Sequence, residues 1–152
     1  MVNHSNESNN FRSGFIAIVG RPNTGKSTLV NALVGKKVVI TSHHPNTTRN
    51  PIRAIVNRPE FQAIVVDTPG IHKPKTLLGN RLNAMVNENL ESVDAAVLCL
   101  PADEKIGTGD EFIAKELAKI KKVYLVVTKL DRVAKDTLAA KLAEVAEFVL
   151  RT

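Results

Sequence analysis

Tryptophan is absent, tyrosine occurs once, and aromatic residues make up only 4% of the 152-residue chain. The aromatic interleaving on which single-stranded nucleic acids stack is therefore missing. The one cysteine, Cys99, cannot close an internal disulfide, and no Cys/His set has the spacing of a zinc site. It lies in the apolar run 95–100 and reads as a small buried hydrophobe. No apolar run approaches the ~20 residues needed to span a bilayer, and none follows the N-terminus as a secretory signal would. These absences together favour the cytoplasm.

What is present supports a folded domain. Apolar residues make up 43%, enough to build a core at this length. The formal net charge of +6, from 21 basic and 15 acidic residues, suits anionic partners such as nucleotide, RNA or a membrane surface. The basic residues are scattered, so charge alone selects none of these. Residues 1–13, rich in Asn and Ser, are expected to form a disordered polar tail before a single domain over 14–152.

Apolar runs and helical periods alternate along the chain, which predicts an α/β fold with a mostly parallel sheet. Residues 15–19 form a continuous apolar run, as in a strand buried on both faces. A glycine-rich turn follows, then a helix over about 26–34 with Leu29 and Leu33 on one face and Gly35 as its C-cap. Residues 36–50 lack helical period and read as a long loop, a length that usually carries function. Residues 52–56 and 61–66 are expected to pair as an antiparallel hairpin at one edge of the sheet. After a second loop over 68–79, Leu82, Met85, Val86, Leu90 and Val93 fall at helical spacing, followed by the strand 95–100. Ile113, Leu117 and Ile120 mark another helix, 123–127 another strand, and Leu138, Leu142, Val145 and Val149 a last helix. The strand 123–127 is apolar on both faces and suits a sheet interior. No strand follows it, so a final strand and helix are expected to be missing.

Gly20-Arg21-Pro22-Asn23-Thr24-Gly25-Lys26-Ser27 matches the P-loop pattern, placed between a predicted strand and a predicted helix. Backbone N–H groups of such a turn, and of the helix start through Thr28, point at phosphate oxygens. Lys26 adds a charge to the β- and γ-phosphates, and the Ser27 hydroxyl can ligate magnesium. Asp67 ends a strand whose tip should lie beside the P-loop, where it can serve magnesium from the other side. In Asp67-Thr68-Pro69-Gly70, the Gly70 N–H can approach a γ-phosphate with no side chain between. Thr128-Lys129-Leu130-Asp131 follows the last strand. A carboxylate there can accept guanine's ring N1–H and exocyclic amine, which adenine does not offer in that position. Such charge-assisted bonds are worth about 1.5–3 kcal/mol each, enough to discriminate GTP from ATP. Lys129 can lay its stem along the base or the glycine turn.

The P-loop, the Thr47-Thr48-Arg49 segment, the D-T-P-G string and the T-K-x-D string together resemble the translation-factor-related GTPases, and within them the Era type. The stretch Ile40-Thr41-Ser42 through Arg49 is similar to the family's first switch, and Asp67 through Lys75 to its second. Ile106-Gly107-Thr108-Gly109-Asp110-Glu111-Phe112 is similar to the segment that opens its third helix. The resemblance runs from about residue 15 to 131. It implies a P-loop NTPase G domain: a mostly parallel sheet with one antiparallel edge strand and helices on both faces.

The resemblance further implies GTP and GDP as ligands, with magnesium held by Ser27, Thr48 and Asp67; Thr47 is the alternative to Thr48. Lys26, Thr48 and Gly70 would carry catalysis. Asn23 either helps hold potassium beside the phosphates or is a turn residue after Pro22. Ile71 stands where Ras-like proteins have a water-orienting glutamine, and the resembled family is apolar there too. A missing arginine finger leaves about 10³–10⁵-fold in rate unsupplied, so slow intrinsic hydrolysis is expected. Thr128 replaces the usual asparagine and is expected to lose a tether to the P-loop. His43, His44 and His72 read as loop residues.

The implied work is small ribosomal subunit assembly with binding to 16S rRNA, through an RNA-binding KH domain for which no G-x-x-G loop follows here. Peripheral contact with the inner face of the cell membrane is a further expectation of the resemblance; nothing points to an oligomer. The alternative is a truncated non-catalytic module that binds nucleotide or a partner without turnover or RNA binding.

Overall fold

A computed structural model describes residues 11–35, 52–66, 90 and 92–151. The elements are β1 (Arg12–Val19), α1 (Lys26–Val34), β2 (Ile52–Asn57), β3 (Phe61–Val66), β4 (Ala95–Pro101), α2 (Thr108–Leu117), β5 (Val123–Thr128) and α3 (Lys135–Arg151). They form one five-stranded sheet in the order β2-β3-β1-β4-β5. β1 runs parallel to β3 and β4, β4 runs parallel to β5, and β2 is the antiparallel edge strand. This is the expected α/β arrangement.

The alternation along β1 explains why helices cover both faces. Ala17 and Val19 point into a core with Leu98, Leu100, Ile113 and Leu117 of α2 and Phe148 of α3. Ile18 points the other way, into a core with Val30 of α1, Val56, Val65 and Cys99. A strand buried on both faces has no polar face to show, hence the continuous apolar runs. β1 begins at Arg12, inside the stretch expected to be tail. Its polar start is held because Arg12 and Ser13 lie in register with Phe61 and Gln62 of β3.

Two helix faces differ from those the spacing predicts. In α1 the buried residue is Val30, and Leu33 is 41% exposed. In α3 Lys141 and Phe148 are buried, whereas Leu142 and Val149 lie half exposed. The difference in the last face lies in Lys141: a lysine reads as solvent-facing, yet here it is buried. Its ammonium donates to the Glu104 carbonyl at 2.6 Å and to Glu144 at 3.0 Å, so its stem can be buried at little cost. α2 ends at Leu117, and Ile120 reaches the core from the following turn, its N–H donating to the Leu117 carbonyl.

β5 lies where the sequence reading places it, with no described strand beyond it. Its apolar sequence suits an interior, but it is the outermost strand among the described residues, with Tyr124 57% exposed. Among the described residues no helix is long and apolar enough to cross a membrane. The helix expected over 82–93 lies mostly outside the described residues, though Leu90 is helical and packs in the α2–α3 core.

Candidate functional site

The sheet order reverses around β1: the chain passes from β1 to the β3 side and then returns to β4 on the other. Open α/β sheets bind ligands at such a switch point, beyond the carboxyl ends of the strands. The turn after β1 and the turn after β5 both open there. They line one cleft of about 880 Å³, which includes Asn23, Gly25, Lys26, Ser27, Thr128 and Asp131. The two strings read separately from the sequence are thus brought together.

The first turn has the backbone of an anion cradle. Asn23 at φ 61° and Gly25 at φ 88° are left-handed. Alternation of this kind turns successive N–H groups to one side, and α1 starts immediately after with no side-chain cap and no acidic residue in its first turn. Gly20 is required sterically, because a Cβ there would lie 2.7 Å from the Thr24 hydroxyl and 2.9 Å from the Cys99 carbonyl. The Lys26 ammonium lies over the turn, donating to the carbonyls of Gly20 at 2.8 Å and Arg21 at 2.6 Å. Buried Thr24 closes the turn from within, its hydroxyl donating to the same Arg21 carbonyl at 2.9 Å. A cation, uncapped helix amides and left-handed glycine backbone fit a phosphate chain. Arg21, Pro22 and Thr24 shape the turn, and Ser27 and Thr28 open the helix.

Thr128 corrects the expected loss of a tether. Its hydroxyl donates to the Thr24 carbonyl at 2.6 Å, joining the end of β5 to the phosphate turn. It also packs against Gly25, where a Cβ would meet the Thr128 side chain at 3.2 Å. A hydroxyl therefore fastens the turn where an amide was expected to be needed. Thr128→Val keeps the shape and removes that bond, leaving the Thr24 carbonyl without it. The expected result is about fivefold weaker GDP binding by fluorescence titration, from ~1 kcal/mol for a neutral hydrogen bond. Unchanged affinity would mean that the tether is idle.

Lys129 adopts φ 57°, so the chain turns sharply after β5 and Leu130–Arg132 forms a single 3₁₀ turn. This sets Asp131 at the rim of the cleft with its side chain exposed. The Lys129 ammonium lies 3.6 Å from Asp103 and 3.4 Å from Glu104. Arg132 lies 3.4 Å from Asp103. These acidic partners, on the turn between β4 and α2, escape sequence reasoning because no local spacing links them to residue 129. Burial pushes the Cys99 thiol up to about 11 despite nearby Lys26, so behind the cradle it is an inert packing group.

Magnesium is a different matter from phosphate. Among the described residues no group of three His, Cys, Asp or Glu side chains could hold a metal ion. Ser27 has the right chemistry, a hydroxyl for a hard cation, and stands at the start of α1. Thr48, Asp67, Thr68, Pro69, Gly70 and Ile71 lie outside the described residues, as do both switch segments.

Residues 15–129 match the family described as 50S ribosome-binding GTPase. The chain belongs to this GTPase family. Among curated relatives it is 58% identical over 142 residues to GTPase Era of Mycobacterium avium, a match covering 91% of this chain and 48% of the relative. GTPase Era of Mycolicibacterium smegmatis is 54% identical over 142 residues, with the same coverage. The chain therefore spans about half the length of the curated relatives it matches. Among solved structures, Era in complex with MgGDPNP and nucleotides 1506–1542 of 16S ribosomal RNA is 35% identical with a TM-score of 0.72. That match covers 93% of this chain and 48% of that one. An Era variant from Aquifex aeolicus bound to GDP and AlF4- is 33% identical, with a TM-score of 0.69 and coverage of 89% and 47%. Membership of the GTPase family accounts for the sheet order, the P-loop and the T-K-x-D turn together.

Proposed function

We propose that this domain binds guanine nucleotide with magnesium and hydrolyses GTP, as the switch of a protein acting in small ribosomal subunit assembly. The observation that carries the reading is the cleft itself, with the phosphate cradle and Asp131 on one rim. The backbone amides at Gly25 and Lys26 and the Lys26 ammonium would bind the phosphates. Asp131 would accept the N1–H and the exocyclic amine of guanine. Ser27, with Thr48 and Asp67, would hold magnesium, which neutralises charge developing on the transferred phosphoryl group. Gly70 would approach the γ-phosphate through its N–H, and Asn23 would hold potassium where that ion is used.

No described residue supplies an arginine to the phosphates. Arg21 is committed to Asp110, and Arg132 to Asp103. On the described residues alone, slow intrinsic turnover is expected. Contact with 16S rRNA is proposed as well, on the strength of the similar Era that has been seen with an rRNA segment and a GTP analogue. The domain would begin with β1 at Arg12 rather than at Gly14.

The non-catalytic alternative has two observations in its favour: Asp131 is exposed, and no described strand pairs with the outer edge of β5. Phosphate release separates the two readings. Slow release from GTP in magnesium, abolished by chelator, is expected. Absence of release, with GDP still bound, would favour the non-catalytic reading.

A further inference from the structure

The geometry points to Asp110 as a positioning residue that presets the phosphate cradle through Arg21. This rests on the nucleotide reading of the cleft. The chemistry starts at one peptide group: the Arg21 carbonyl accepts both the Thr24 hydroxyl and the Lys26 ammonium. Whatever fixes that peptide fixes the cation meant for the phosphates.

The Arg21 side chain is what fixes it. Its Nε donates to both oxygens of Asp110, at 2.9 and 3.0 Å, and another guanidinium nitrogen lies 3.1 Å from Glu104 as an ion pair. Asp110 is fully buried, and it also accepts the Gly107 N–H at 3.0 Å, closing the first turn of α2. A buried carboxylate without its cation is costly, so the pair is strongly reciprocal. The arginine stem reaches it across Gly109, where a Cβ would lie 3.0 Å from Arg21 Cδ. Asp110 and Glu104 hold the guanidinium firmly protonated against the opposing effect of burial.

The same turn grips the other end of the cleft. Glu104 lies 3.4 Å from Lys129, two residues before Asp131 on the base-reading turn. α3 steadies it from behind. Lys141 donates to the Glu104 carbonyl at 2.6 Å, and the Ile106 N–H donates to Glu144 at 2.8 Å. Burial alone would raise the Glu144 carboxyl; the Ile106 N–H and Lys141 outweigh it and hold it below its ordinary value. The segment from Asp103 to Asp110 is thus a brace on both turns that form the cleft, without lining it. It lets the start of α2 set how well the cradle is formed.

The test is a double-mutant cycle on GDP affinity, using Asp110→Asn, Arg21→Gln and the pair together, with melting temperature followed without nucleotide. Asparagine keeps an acceptor for Gly107, so α2 retains its cap. Each single change is expected to weaken GDP about tenfold, and the pair no more than either alone. The preference for GDP over ADP stays, because Asp131 is untouched. Val56→Ala, a change in the core on the other face of the sheet and outside this network, controls for stability: it should lower the melting temperature without weakening GDP. Additive losses in the pair, or full affinity in Asp110→Asn, overturn the positioning role while the nucleotide reading stands. Weakening in Val56→Ala to the same degree also overturns it, by making affinity follow stability. A wild-type chain that binds no GDP overturns both.

Discussion

Lys26→Ala should weaken GDP binding by about 100-fold. The estimate follows from two charge-assisted contacts to the β-phosphate region at ~1.5 kcal/mol each, close to 3 kcal/mol in all. The Lys26 ammonium is already drawn over the turn by the carbonyls of Gly20 and Arg21. It is therefore pre-placed, and little ordering cost offsets its gain on binding. Lys26→Met, which keeps most of the stem, should lose about as much, showing that charge rather than packing is responsible. Calorimetric titration measures both. Full affinity in Lys26→Ala would mean that phosphates bind elsewhere.

The second large effect concerns the base. Asp131→Ala should erase the preference for GDP over IDP, whose hypoxanthine lacks only the exocyclic amine. With the carboxylate, that amine is one charge-assisted hydrogen bond, so the preference in the native chain should be about 10- to 100-fold. Without it the two nucleotides should bind within about twofold of each other, GDP having lost both bonds and IDP one. Asp131 is exposed on a single 3₁₀ turn and touches no core, so the change should leave the melting temperature alone. A preference for GDP that survives in the variant would assign base reading to another group.

Much of this was legible because the decisive features are local. The phosphate turn and the T-K-L-D turn are short strings at strand ends, and the mostly parallel sheet follows from apolar runs alternating with helices. The features that escaped are those the chain makes at a distance. Arg21 meets Asp110 across 89 positions, and Thr128 meets Thr24 across 104. Neither has a spacing to read. Helix faces failed where polarity misled. Lys141 reads as exposed because burial of an ammonium depends on a carbonyl from another element, and the helical period puts Leu142 inside instead. Thr128 was judged by the residue it replaces. The hydroxyl's reach to a particular carbonyl could only come from the packed structure.

The same distinction marks out the part of the site that carries most weight. The described residues join an anion cradle to the exposed carboxylate of Asp131 across one cleft, and the proposed hydrolysis and rRNA contact rest on that joining. Calorimetric titration of the native chain with GDP and with ADP, both in magnesium, addresses it most directly. One GDP per chain, with ADP weaker by about 100-fold or more, is the predicted result. Equal affinity for the two, or heat from neither, would contradict it.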